Sequence, residues 1–598
     1  MAGATGFAAR RHRAIMISYL FMPASNRDSS ISERIPQKRF HVILVKPSKY
    51  DDEGYVIRWL RGIITSSSLA CLYALTRNAA ANGALPAEVE TVVHCFDETV
   101  QKIPVGRLSG QILRSGERGV ACMVGVQTNQ YARSLDLALE FKKAGISAMI
   151  GGFHVSGCMA MLPDHPPEIQ KAIDEGITLV AGEVERRWPE LLRDAYENKL
   201  ESIYNFLSDK PALMGVPEPE LPKATMARFL NRLTSFDAGR GCPFHCSFCS
   251  IINIQGNTMR GRSADDIEKI VRHNFAAGAR QFFIADDNFA RHENWESIAD
   301  RLIDLKENHG IQCSLMIQTD AAAHRIPRFI EKMAHAGVER VFLGLESVNP
   351  DNLRTTGKHQ NQLKEYRAML LEWRDHGVLT HSGYIVGFPG DTYDSIMRDV
   401  EFLKNEIPLD LAEFFILTPA PGSKDHQKYY LEKVWLEPDT NKYDGMHVCV
   451  DHPRMTHEEL LKAYHDAWKS FYSREHLRRL LLRCKGSKDR IPFSSLVWFC
   501  NSVFLTRIHP LMGGFYRIKS RKERRPGMPE ENAVRFHTKR AVETITYTFG
   551  LMKTIFDVWR VVREARKPEN ADYMDRAIEP VVEAPPTQKA DSAVPRSN

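Results

Sequence analysis

No run of about 18 uninterrupted apolar residues occurs anywhere in the 598-residue chain, so nothing in it is built to cross a bilayer as a helix. A disulfide framework is missing too. The 11 cysteines are odd in number and unevenly spread, and three fall within one eight-residue window. That distribution suits a reducing cytoplasm and a metal site, not a cross-linked secreted fold. The middle of the chain has no low-complexity block, and 43% hydrophobic against 26% charged residues is the balance of a globular protein. Nor is the chain basic throughout, although its net charge is +6. Eleven Lys and Arg against two acids lie between Arg483 and Arg525, which leaves the remainder about three charges negative. Basic charge without a recognition module does not point to nucleic acid, and none is expected as a partner.

What is present is a twofold alternation of strands and helices. Apolar runs at HVILVKP (41–47), VETVVHCF, GVACMVGV, ISAMIGG and GITLVAGE alternate with helical stretches such as 68–81 and 132–144. Such alternation predicts a parallel sheet with its ligands at the carboxyl edge. A second series, SFDAG, QFFIAD, CSLMIQ, RVFLGLE, SGYIVGF and AEFFIL, predicts six strands of a partial barrel. After Pro421 the pattern turns helical, with Thr456 and Glu459 as a capping box before Leu460, Leu461, Tyr464, Trp468 and Phe471. The expected division is a leader (1–39), a Rossmann-like domain (40–205), a linker (206–230), the partial barrel (231–425), a helical extension (426–482), a basic amphipathic region (483–578) and a disordered tail (579–598). RRHR in the leader would suit a transit segment, but a disordered extension, or a true start at Met16, is the preferred reading.

GRGCPFHCSFCS sets Cys242, Cys246 and Cys249 in a C-x3-C-x2-C loop directly after an apolar strand. Thiolates are soft ligands, and a short loop can wrap three of them around one face of an iron–sulfur cube, leaving one iron open. Structural zinc is the alternative, but it wants a fourth Cys or His, and no second C-x2-C pair stands out. With Phe248 before the last cysteine, the motif resembles that of the radical S-adenosylmethionine (SAM) superfamily. IADDNF (284–289), LGLES (343–347) and YIVGFPGDT (384–392) extend the resemblance across 234–425.

The resemblance implies a [4Fe-4S] cluster that binds SAM at its open iron and cleaves it reductively to a hydrogen-abstracting radical. It implies an external electron donor of flavodoxin or ferredoxin type. Asp286 and Asp287 are candidates for the SAM ammonium, although a helix N-cap would equally explain one of them. Gln318 and Glu346 are candidates for the ribose, or solvated rim residues. Gly387 and Gly390 would let backbone approach a planar ligand, with Pro389 fixing the turn. Cys313 reads as a small buried hydrophobe.

GGFHVSG (151–157) and AGEVE (181–185) resemble the cobalamin-binding domain that precedes many radical SAM cores. The implied contacts are Gly151, Gly152, Gly182 and Glu183, with Gln127 and Thr128 on the neighbouring strand end. The D-x-H-x-x-G motif that gives cobalt a histidine in other cobalamin proteins is absent, and His154 is a weak substitute. A degenerate domain without cofactor is the alternative. The whole implies an α/β enzyme: a Rossmann-like cobalamin-binding domain, a partial (β/α)6 radical SAM barrel and a helical C-terminal extension. Its expected chemistry is radical methylation of an unactivated centre through methylcobalamin. Cyclisation or rearrangement in the same architecture, or non-catalytic cofactor sensing, are the other readings.

Residues 491–525 join Phe493, Val497, Trp498, Phe499, Phe504 and Leu505 to Arg517, Lys519, Arg521, Lys522, Arg524 and Arg525. Two outcomes compete: docking of the apolar side chains on the barrel, or peripheral contact with the inner membrane surface. The second would suit a lipid-like substrate in place of a freely diffusing small molecule. The expected location is cytoplasmic in either case.

Overall fold

β1 (Lys38–Lys46) is buried from Phe40 to Val45 on both of its faces, the mark of a central strand in a parallel sheet. Phe40, Val42 and Leu44 point into one apolar core with Leu69 and Trp188, while Ile43 and Val45 point into another with Leu137 and Phe141. The period of two along one strand thus accounts for helices on both sides. The computed structural model describes residues 38–484, 491–570 and 572–580. The leader, apart from Lys38 and Arg39, and the tail beyond residue 580 lie outside the described residues.

After β1 come β2 (Arg58–Gly62), β3 (Val89–Asp97), β4 (Arg118–Met123), β5 (Ser147–Gly151), β6 (Thr178–Gly182) and β7 (Ile203–Phe206). Six of these form a sheet in the order β3-β1-β4-β5-β6-β7, parallel throughout. The order reverses at β1/β4, which places ligands at that carboxyl edge. β7 is a strand that the periodicity does not reveal, and it runs past residue 205.

β8 (Leu233–Phe236) opens the second unit, and β9 (Gly239–Arg240) pairs antiparallel with β10 (Arg260–Gly261), pinching off the loop that holds the three cysteines. β11 (Gln281–Ile284), β12 (Ser314–Asp320), β13 (Val338–Glu346), β14 (Leu379–Val386) and β15 (Leu411–Ile416) follow. With β8 they make a six-stranded parallel sheet in the order β15-β14-β13-β12-β11-β8, an open partial barrel as expected. The capping box forms at the helix His457–Phe471: Glu459 N–H donates to Thr456 Oγ1 at 3.2 Å, and Thr456 N–H to Glu459 Oε2 at 2.8 Å. Leu460, Tyr464, Trp468 and Phe471 are buried against the barrel, and Leu461 is half-buried.

Much of the basic region is paired within the protein. β16 (Gly514–Ile518) pairs antiparallel with β2, so it is stitched to the first domain. Arg517 lies 2.9 Å from Asp51, Lys519 3.2 Å from Glu543, Arg521 2.8 Å from Glu530 and Arg525 2.6 Å from Asp439, while Arg524 donates to the Glu53 carbonyl at 2.9 Å. Val497 and Phe499 are buried in the barrel core. Cations paired within the protein have less field left for a lipid surface, which supports packing, the more ordinary of the two outcomes, for this strand, while Phe493 and Phe504 stay exposed. A helix from Ala533 to Ala565 then runs 33 residues along the outside.

Candidate functional site

Polar N–H groups stand near the sulfurs of the cysteine loop. The Phe244 amide and the Asn288 side chain act to lower the Cys242 pKa, and the Ile251 amide acts to lower that of Cys249. Gln360 Nε2 lies 3.8 Å from Cys246 Sγ. Burial raises the Cys242 thiol and pushes that of Cys249 up to about 12. Such thiols ionise when a cation takes the proton's place, and the waiting N–H donors then stabilise sulfur charge. The residues therefore fit a thiolate-bound iron cluster. Phe248 packs 6.2 Å from the Phe388 ring, which seats the loop against the turn after β14.

The expected SAM residues divide. Asp287 opens into a cavity of about 490 Å³ between the two domains. Enclosure by protein pushes its carboxyl up to about 7, with Arg240 acting in the opposite direction. Asp286 turns away: it is 1% exposed, and its Oδ1 accepts the Ala238 N–H at 2.7 Å, tying the ends of β8 and β11 together. Neither aspartate is an N-cap, since Asn288 precedes the next helical turn. Gln318 Nε2 donates to the Asp286 carbonyl at 3.2 Å. Glu346 is paired with Lys358, 2.6 Å away.

Gly387, φ 94°, also serves packing. A Cβ there would stand 2.8 Å from Leu460 Cδ1, so the glycine makes room for the C-terminal helix. Pro389 sits second in the turn closed by the Asp391 N–H to the Phe388 carbonyl at 2.8 Å, and the Asp391 carboxylate adds to it, accepting the Gly387 and Phe388 N–H groups at 3.1 and 2.9 Å. Pro389 is exposed.

At the first sheet's carboxyl edge, Gln127, Gly151, Gly152, Gly182 and Glu183 line the cavity. Gly152 has φ 147°, and a Cβ would meet Val126 N at 2.1 Å, so only glycine lets the chain turn here into the helix Phe153–Met161. Thr128 and His154 do not reach the cavity. His154 is fully buried on the opposite side of its helix, with Nδ1 3.4 Å from Thr128 Oγ1, its ring against Tyr131, and Nε2 3.6 Å from Glu168. Helical spacing explains this, since Phe153 and Ser156 line the cavity and His154 falls between them.

A clamp of arginines joins the two edges, and sequence reasoning missed it. Arg240 Nη1 lies 2.8 Å from Glu183 and 2.5 Å from Glu185, its Nε lies 2.7 Å from Asp237, and Arg260 Nη2 lies 2.5 Å from Glu183. Arg240 stands two residues before Cys242, but nothing local announces that two of its partners, Glu183 and Glu185, are acids of the first domain. The clamp brings the glycine-bearing edge of one sheet to face the cysteine loop of the other, across a single cavity also lined by Ser250, Ile254 and Asp287.

Residues 238–403 match the radical SAM superfamily. The chain is 27% identical over 379 residues to bacteriochlorophyllide d C-8(2)-methyltransferase of Chlorobaculum tepidum, covering 60% of this chain and 79% of that protein. It is 26% identical over 372 residues to the C-12(1)-methyltransferase of the same organism, covering 60% and 74%. Its fold is similar to that of TsrM, a radical SAM methyltransferase from Kitasatospora setae solved with cobalamin and a [4Fe-4S] cluster. The TM-score is 0.55 at 14% identity, with 88% of this chain and 99% of that one covered. Residues 238–403 are thus a match to the radical SAM superfamily, set behind a Rossmann-like parallel sheet.

Proposed function

We propose that this chain is a cobalamin-dependent radical SAM methyltransferase acting on an unactivated centre of a small-molecule or lipid-like substrate. The observation that carries the reading is the meeting of two strand-end edges at one cavity, with Gly151 and Gly182 on one wall and Asp287 and the iron-binding loop on the other. When bound, the cluster supplies the electron that cleaves SAM, and cobalamin supplies a methyl group that a substrate radical can accept. The chain's own part is to hold and to orient. Cys242, Cys246 and Cys249 would hold iron, and Asp287 would receive the SAM ammonium. Gln127, Gly151, Gly152 and Gly182 would lie under the corrin. Arg240 and Arg260 keep the two walls in register.

This reading assigns cobalamin to 40–205 and the cluster and SAM to 231–425. A flavodoxin or ferredoxin type of protein would deliver the electron. Both curated relatives are by name methyltransferases of bacteriochlorophyllide d. The reaction class is carried over to this chain, the ring is not. Cyclisation, rearrangement and sensing gain nothing from these likenesses.

The test is anaerobic reconstitution with iron, sulfide and hydroxocobalamin, followed by SAM labelled in its methyl group and a strong reductant. Reductive SAM cleavage together with label on cobalamin is the expected result. Tight cofactor binding without SAM cleavage would replace the proposal with a sensing role.

A further inference from the structure

The helix Ala533–Ala565 carries an apolar stripe on the face turned away from the protein. Val542, Ile545, Phe549, Met552, Phe556 and Trp559 recur at alternating spacings of three and four residues, and each is between 46% and 66% exposed. At 1.5 Å per residue the stripe is about 26 Å long. The opposite face is the one that packs: Val558, Val561 and Ala565 are buried, and Thr554 donates to Asn501 at 2.7 Å. Exposed leucines and phenylalanines scattered singly need no explanation, but a continuous row of six does.

We propose that this stripe is the surface by which the enzyme lies on an anionic membrane, with the helix parallel to the bilayer. Charge decides the occupant. Lys553, Arg560 and Arg563 flank the carboxyl half of the stripe, all exposed, against the single exposed acid Asp557. None of these three cations has an ion-pair partner among the described residues. Arg560 lies 5.9 Å over the Phe556 ring and Arg563 5.5 Å over Trp559, so cation and aromatic stand together, as a headgroup boundary requires.

A second copy of the helix would complement this surface poorly. The rows beside the stripe carry Thr546, Thr548, Ile555 and Val562, and their charges are Lys553 and Arg560 against the single carboxylate Asp557, so two copies would bring more like charges together than opposite ones. Crossing the membrane is excluded for this helix, since no helix among the described residues is long and apolar enough to do so. The helix lies on the surface, apolar side down.

The inference stands independently of the methyl-transfer proposal. Its test is flotation of the full-length, reconstituted protein with phosphatidylcholine vesicles, with and without 30 mol% phosphatidylglycerol. Binding should require the anionic lipid and weaken with salt. Lys553→Gln/Arg560→Gln/Arg563→Gln should lower partitioning by about a hundredfold, at the usual contribution of a cation near such a surface. Phe549→Ser/Phe556→Ser should abolish it, and because both side chains are exposed the variant keeps its fold, checked by circular dichroism. Light scattering is run on the same samples. No binding by the wild type, or binding indifferent to either variant, overturns the proposal. Wild-type dimers that Phe549→Ser/Phe556→Ser separates, without vesicle binding, would make the stripe a self-association seam instead.

Discussion

Lys358 Nζ lies 2.6 Å from Glu346 Oε1, and this pair fixes the end of β13 beside the iron-binding loop. Glu346 has φ 61°, left-handed for a residue with a side chain, at a register shift between β13 and β14. A Cβ on Gly344 would stand 2.8 Å from the carboxylate and 2.9 Å from the ammonium, so the glycine keeps the space in which they meet. Lys358 also stands 5.8 Å over the Phe248 ring, and against the cost of burial the Glu346 carboxylate raises its pKa.

Replacing Lys358 with Met therefore leaves a largely enclosed carboxylate without its counter-charge in a backbone conformation that is costly already. The expected loss is about 3 kcal/mol or more of stability, read as a lower denaturation midpoint. Lys358→Met/Glu346→Gln should recover part of it. Equal losses in the single and double variants would show that the pair does not hold the strand end. In the reconstituted single variant the cluster potential should also fall, because a cation near the thiolates has gone.

Replacing Cys242, Cys246 and Cys249 together with Ala should abolish the oxygen-sensitive cluster. Of the other eight thiols, Cys71 and Cys122 are buried in the first sheet's wall of the cavity, outside the loop, Cys158, Cys449 and Cys484 are buried elsewhere, and Cys95, Cys313 and Cys500 are half-buried singly. Iron and sulfide analysis after anaerobic reconstitution reads the result, and about four irons per chain in the triple variant would rule these ligands out.

Both sheets, β7 apart, were legible in the sequence because their other strands are local apolar runs of the right length, and the capping box was legible because its two residues are three apart. Contacts between distant segments were not. β2 and β16 pair across more than 400 residues with no local sign of it, and Gly387 cannot announce that the space it leaves belongs to Leu460. The cysteines were readable as ligands because their chemistry demands proximity in sequence. Asp286 and Asp287, identical in type and adjacent, differ only in which way the chain turns them. The cations of 517–525 looked free for the same reason: their acids lie at Asp51, Asp439, Glu530 and Glu543.

His447 provides a pH test of how the first domain is held to the barrel. Its Nδ1 lies 2.9 Å from Asp444 and its Nε2 3.2 Å from Asp52, while Asp444 also binds Lys49 of the first domain. Burial alone would lower the imidazole pKa, but the hydrogen bonds to Asp444 and Asp52 outweigh it and raise the value from 6.5 to about 9. A raised folded-state pKa contributes stability that is fully present below 6.5 and lost as pH rises through about 9. His447→Gln should thus lower the thermal midpoint at pH 6, by the equivalent of about 2–3 kcal/mol, and change it little at pH 10. The same difference at both pH values would remove the charge from the explanation.

Cobalamin bound at the first sheet's edge should carry no protein histidine on cobalt. The argument is geometric as well as motif-based. The cavity wall includes Gln127, Gly151, Gly152, Phe153, Ser156 and Gly182, and no histidine is among the residues that line it. His154 is the imidazole nearest in sequence, but it lies one residue out of phase with Phe153, fully buried against Tyr131, and turning it outward would break its contacts with Thr128 and Glu168. The lower axial position would then be open, or filled by water or by a side chain such as Gln127. Electron paramagnetic resonance of the reduced cobalt state distinguishes these cases, because an axial nitrogen splits the signal and oxygen does not. The expected spectrum shows no nitrogen splitting, in the wild type and in His154→Phe alike. Splitting that disappears in His154→Phe would mean that the helix Phe153–Met161 rotates on binding, and Gly152, with φ 147° at its amino end, would be the hinge.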